Sequence, residues 1–247
     1  MKCLRGYAGA LLLLAAAAYA VIPILRVQDA PNASQALLSG GSKVPVVLGV
    51  MSRCPDAILC ESVFDDVVSR TGDKIDLSLT FIGKINSSEP DYGVTCMHGP
   101  AECAGNVQEL CAVKYEETPR WWKFIQCQNA QGRYKVGEPE VVFQCAKETG
   151  IDWQNGPTGK CAGTDGQGKG EKGIRLLQES VKHTESLGIQ KSCTIVIAGK
   201  PVCIHDETWK ECEGGHTQDD FVRQIEEEYE RHNRIWQDDL EDGWVWL

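Results

Sequence analysis

The sequence is short of positive charge. Lys and Arg number 25 against 35 Asp and Glu, a formal net charge of −10. Nucleic-acid phosphates demand clustered Lys and Arg, and no basic patch stands out, so the reading is of no nucleic-acid partner. Long apolar runs are also missing after the first 25 residues. No later stretch is apolar enough to span a bilayer, which excludes a multi-pass membrane protein of helical type. The exception is the N-terminus, where Gly6 to Leu25 is uncharged and largely apolar. Lys2 and Arg5 precede it, Ala18-Tyr19-Ala20 offers small residues for cleavage, and Pro23 interrupts its end. Residues 1–25 therefore read as a cleaved signal peptide, with an uncleaved signal anchor as the alternative. Membrane attachment follows only from the anchor.

Cysteine, by contrast, is plentiful. There are twelve, and cleavage would remove Cys3, leaving Cys54, Cys60, Cys96, Cys103, Cys111, Cys127, Cys145, Cys161, Cys193, Cys203 and Cys212. That density suits an oxidising compartment. An odd count leaves at least one thiol free or paired between chains. The sequons at Asn32 and Asn86 add glycosylation acceptors of the kind found in exported proteins. The expected location is the secretory pathway, either the extracellular space or the lumen of a lysosome or vacuole.

Residues 26–43 are polar and small and read as a linker. Val46 to Met51 is a short apolar run suited to a buried strand, and Pro55 suits the first turn of a helix. Leu59, Cys60, Val63, Phe64, Val67 and Val68 then recur at helical spacing, and Ile75 to Ile82 alternates as a strand. This is a βαβ unit. A cysteine-rich insertion over about 86–173 follows, with short helices at Ala101–Tyr115, Trp121–Gln128 and Pro139–Lys147. Its end, Asn155 to Gly173, is rich in glycine and lysine and reads as a flexible surface loop. Ile174–Leu187 is an amphipathic helix, Thr194–Ala198 and Pro201–Ile204 form a hairpin, and Thr217 caps a last helix bearing Phe221, Val222, Ile225 and Tyr229. The order predicts an α/β, thioredoxin-like fold over 44–236, with a mainly helical insertion after the second strand. Residues 237–247 form an acidic tail.

Within the insertion stands Cys96-Met97-His98-Gly99-Pro100-Ala101-Glu102-Cys103-Ala104-Gly105-Asn106, followed by Cys111. This resembles the signature of the gamma-interferon-inducible lysosomal thiol reductase family, with Met97 where the family has Gln. The landmarks Cys145, Gly150, Gly173, Thr184, Leu187 and Gly199-Lys200-Pro201 extend the likeness to about Val46–Ile225. The resemblance implies a thiol reductase that needs no cofactor and acts on disulfide-containing proteins. It also implies that Cys96, His98, Gly99, Glu102, Cys103, Asn106 and Cys111 are structural.

In that family, as in thioredoxins, a C-x-x-C motif follows the first strand. Its first cysteine, at a helix N-terminus, is the nucleophile, and its second resolves the mixed disulfide. Here Cys54 takes the nucleophile position, Ala57 stands where the second cysteine should be, and Cys60 is the next cysteine. Cys54 and Cys60 are the candidate catalytic pair. Residues six apart in a helix are displaced about 9 Å along its axis, whereas a disulfide needs Cα atoms within about 7 Å. The two can pair only if the helix starts after Ala57; otherwise Cys60 is a buried core cysteine. Cys54 itself is either a reactive thiol or a staple to the insertion. Arg53 favours its thiolate form and Asp56 opposes it.

Counting back from Gly199-Lys200 places Cys193 at the family's cis-proline position. Cys193 is then either a neighbour of Cys54, as an alternative partner or metal ligand, or the disulfide partner of Cys203 or Cys212. The set Cys203, His205, Cys212 and His216 has no usual zinc-ligand spacing, so no metal is expected. Two functions from different classes follow. One is a secretory-pathway thiol oxidoreductase working through Cys54. The other is a non-catalytic secreted binding module that keeps the scaffold and has lost the redox motif.

Overall fold

The structure is a computed structural model that describes residues 41–242. Residues 1–25, read above as a signal or anchor, the Asn32 sequon and most of 26–43, read as a linker, lie outside the described residues, as do the last five residues of 237–247, read as an acidic tail. Among the described residues, no helix is long and apolar enough to cross a membrane.

Strand β1 (Val44–Val50) buries Val44, Val46, Leu48 and Val50 completely. This β-branched run fits a strand covered on both sides. Helix α1 (Pro55–Thr71) carries the chain to β2 (Ile75–Phe81), which pairs parallel to β1 from Val44↔Ile75 to Val50↔Phe81. The predicted βαβ unit is thus present. A two-stranded hairpin follows, β3 (Lys84–Ile85) and β4 (Val94–Thr95). Helices α2 (Pro100–Tyr115), α3 (Thr118–Ala130), α4 (Pro139–Thr149) and α5 (Pro157–Ala162) complete the insertion.

Helix α6 (Glu171–Ser186) returns the chain to the sheet, and β5 (Thr194–Ile197), β6 (Lys200–Asp206) and β7 (Thr208–Lys210) extend it antiparallel in the order β2-β1-β5-β6-β7. Helix α7 (Gln218–Asp242) closes the fold, and its Phe221 ring lies 5.2 Å from Phe64 of α1. Thr217 caps α7 as expected: its hydroxyl accepts from the Asp220 N–H, while the Asp220 carboxylate accepts from the Thr217 N–H, a reciprocal capping box. This is the thioredoxin-like fold read from the sequence, with the insertion where it was placed.

One segment differs from its reading. Asn155 to Gly173 is not a flexible loop. It holds α5, and the Cys111–Cys161 disulfide ties it to α2. Its glycines serve close packing. A Cβ on Gly159 would stand 1.7 Å from the Trp153 carbonyl oxygen, and one on Gly168 would stand 2.7 Å from Ala104 Cα. Glycine content signals flexibility and tight backbone approach alike, and here the second holds.

Candidate active site

Cys54 stands at the N-cap of α1, where the chain leaves the carboxyl end of β1. Pro55 is the first helical residue, whose missing N–H costs the helix nothing. The Cys54 N–H donates to the Met51 carbonyl at 2.9 Å, and the Ile58 N–H donates to the Cys54 carbonyl at 3.1 Å. The thiol therefore lies at the positive end of the helix. The residue is buried, 5% exposed, and is the one free cysteine among the described residues.

Two groups touch its sulfur. Asp56 Oδ2 lies 3.8 Å away and the Ser192 carbonyl oxygen 3.7 Å away, each placed to accept from the thiol. The other Asp56 oxygen accepts from His205 Nδ1 at 2.7 Å and from the Glu207 N–H at 2.9 Å. An ionised carboxylate only accepts, so His205 carries its proton on Nδ1 here. The His205 ring meets Trp209 edge-on with 4.7 Å between centroids. Thus Asp56 joins the first turn of α1 to the β6–β7 corner beside the thiol.

Helix α1 begins at Pro55, so the late start that a Cys54–Cys60 bond would need does not occur. Cys60, the expected resolving partner, is bonded instead to Cys193, with Cα atoms 6.2 Å apart. The other reading of Cys193, a bridge to Cys203 or Cys212, also gives way, because those two are bonded to each other. That bond equally takes both sulfurs from the Cys203, His205, Cys212 and His216 set. Cys193 directly precedes β5 (Thr194–Ile197). It sits one residue beyond the carbonyl that touches Cys54, and the Ser192–Cys193 peptide bond is cis. The Met51 N–H donates to Ser192 Oγ at 3.0 Å, and Cys193 exchanges two backbone hydrogen bonds with His205. Two segments distant in sequence therefore meet at one sulfur, and His205 from a third holds the Asp56 carboxylate beside it.

The insertion's signature buttresses this turn. Asn106 Oδ1 accepts from the Ser52 N–H at 3.1 Å, and the Glu102 carbonyl accepts from Ser52 Oγ at 3.2 Å. Gly105 lets α2 approach so closely, since a Cβ there would stand 2.6 Å from Ser52 Oγ. The Arg53 side chain is drawn to the insertion, with Nε donating to the Val136 carbonyl at 2.8 Å. His98 Nδ1 contacts the buried Glu102 carboxylate, whose other oxygen accepts from the His98 N–H. Cys96 is bonded to Cys103, seven residues on, and Cys111 to Cys161. Asn86 lies in the β3–β4 hairpin, where its side chain accepts from the Ser88 N–H.

Sequence reasoning missed Ser192, and it weighed His205 only as a metal ligand. No local pattern marks either one, because their partners are more than a hundred residues away.

Residues 45–149 match the family model for gamma interferon inducible lysosomal thiol reductase (GILT). The chain is 30% identical over 132 residues to GILT-like protein 1 of Drosophila melanogaster, covering 46% of this chain and 52% of that protein. It thus spans about half the length of the curated relative it matches. The family model and the curated relative thus point to the same family as the Cys96–Cys111 signature. Among solved structures, it resembles the MdbA protein, a thiol-disulfide oxidoreductase from Corynebacterium diphtheriae. The TM-score is 0.52 at 15% identity, over 74% of this chain and 83% of that one. At that identity the likeness is one of fold.

Proposed function

We propose that this protein is a thiol–disulfide oxidoreductase of the secretory pathway, acting on disulfide-containing proteins through Cys54. One observation carries the reading: the free thiol among the described residues lies at the N-terminus of α1, with Asp56 and the Ser192 carbonyl against its sulfur. Asp56 Oδ2 accepts the thiol proton. The thiolate attacks one sulfur of a substrate disulfide, a mixed disulfide forms, and the other substrate sulfur leaves as a thiolate. Five disulfides in the described residues support an oxidising compartment, either extracellular or the lumen of a lysosome or vacuole, with Asn86 as a glycan acceptor.

The second reading, a non-catalytic secreted binding module, draws on the burial of Cys54 and on Ala57 in the place of a resolving cysteine. Reduction of a denatured, disulfide-bonded protein separates the two. The oxidoreductase reading expects Cys54→Ser to fall to the uncatalysed rate. Equal rates for this variant and the unaltered chain support the module.

A further inference from the structure

Cys54 lacks a second cysteine one helical turn on, yet an oxidoreductase must release its substrate. We propose that Cys54, Cys193 and Cys60 form a three-thiol relay, in which Cys193 resolves the substrate and Cys60 takes the disulfide from Cys193. The inference rests on the reading of Cys54 as the nucleophile.

Three observations lead to it. The Cys60–Cys193 bond is present while Cys54 is free. Both bonded cysteines are wholly buried, so a protein substrate has no direct path to their sulfurs. Cys54 keeps 5% exposure, and its sulfur touches the carbonyl of Ser192, the residue preceding Cys193. Cys60 lies too far along α1 to bond Cys54, but it does bond Cys193. Cys193 is thus the sulfur bonded to Cys60 and one residue beyond the carbonyl that touches Cys54.

The steps balance. In the charged state Cys60 and Cys193 are thiols. Cys54 thiolate attacks the substrate disulfide, and the first substrate sulfur leaves and takes a proton. Cys193 thiolate then attacks Cys54 Sγ; the Cys54–Cys193 bond forms and the second substrate sulfur leaves, also taking a proton. Last, Cys60 thiolate attacks Cys193 Sγ, forming the Cys60–Cys193 disulfide and expelling Cys54 as thiolate. One substrate disulfide becomes two thiols, and the electrons and both protons come from Cys60 and Cys193. The arrangement observed is the discharged end of this sequence. A low-molecular-weight thiol recharges it in reverse. Cys54 thiolate attacks Cys193 and frees Cys60, one thiol molecule takes Cys54 to free Cys193, and a second thiol molecule releases Cys54 as the thiol's own disulfide.

The full chain is tested with a denatured, disulfide-bonded protein, with acid quenching and mass mapping of disulfides. In Cys193→Ser the Cys54–substrate bond should persist about tenfold longer or more than in the unaltered chain. Cys60→Ser should release substrate and accumulate a Cys54–Cys193 bond. Resolution of the mixed disulfide at the unaltered rate in Cys193→Ser, or no Cys54–Cys193 bond in Cys60→Ser, overturns the relay but leaves Cys54 as the nucleophile. Failure of Cys54 to couple to substrate in any variant overturns both. A second measurement does not depend on those variants folding. Dithiothreitol should open the Cys60–Cys193 bond about tenfold or more slowly in Cys54→Ser than in the unaltered chain; equal rates contradict the relay.

Discussion

Asp56 Oδ1 and His205 Nδ1 are 2.7 Å apart, although the residues are 149 positions apart in the chain. The contact fixes the carboxylate whose second oxygen faces Cys54 Sγ. Asp56→Asn keeps an acceptor for His205 and for the Glu207 N–H, but loses the charge that receives the thiol proton. The fold should persist while the first exchange step slows by about 10²-fold, the low end for loss of a proton acceptor. Stopped-flow reaction with a disulfide dye checks this. An unchanged rate would leave Asp56 a structural tie only.

Asn106 is expected to act through Ser52. Truncation to Ala strands the buried Ser52 N–H, which should cost about 1–3 kcal/mol in urea unfolding. The same variant should slow disulfide reduction, because Ser52 is two residues before Cys54. Gly105→Ala should act in the same direction, since its Cβ would displace Ser52 Oγ.

Stability should fall as pH rises from acidic to neutral. Glu61 is buried, and desolvation raises its pKa from 4.5 to about 7, against the opposing hydrogen bond from Asn129. Glu109 is pushed up in the same direction, first by burial and then by the charges of Glu61 and Glu102. Neither of its carboxyl oxygens meets a donor. Between 4.5 and about 7 the folded chain binds more protons than the unfolded one, so this stabilisation is complete below 4.5 and is lost through about 7. A shift of that size corresponds to about 3 kcal/mol for Glu61. Urea titrations at acidic and neutral pH should show the loss, and Glu61→Gln should flatten it and be the more stable chain at neutral pH.

Much of this was legible along the chain. The β-branched run of β1, the helical stripe through Phe64 and the capping box at Thr217 are local signals, and local physics honoured them. Cys54 was legible as a candidate because the family resemblance puts a cysteine directly after the first strand, where Pro55 marks the helix start. The bond from Cys60 to Cys193 spans 133 residues, and spacing in sequence carries no information about such a pairing. The contacts of Ser192 and His205 with the site are of the same kind. The glycines of 156–173 misled because a composition rule cannot tell a loose backbone from one pressed against Trp153 and Ala104.

The most direct test of Cys54 as the reacting thiol is to follow where a disulfide-bonded, unfolded protein attaches. The recharged chain is mixed with that substrate, quenched with acid within seconds, and mapped by mass spectrometry. The account predicts substrate joined at Cys54, with the four remaining disulfides, including Cys96–Cys103 and Cys203–Cys212, intact. Substrate attached at any other cysteine, with Cys54 still an unmodified thiol, would contradict it.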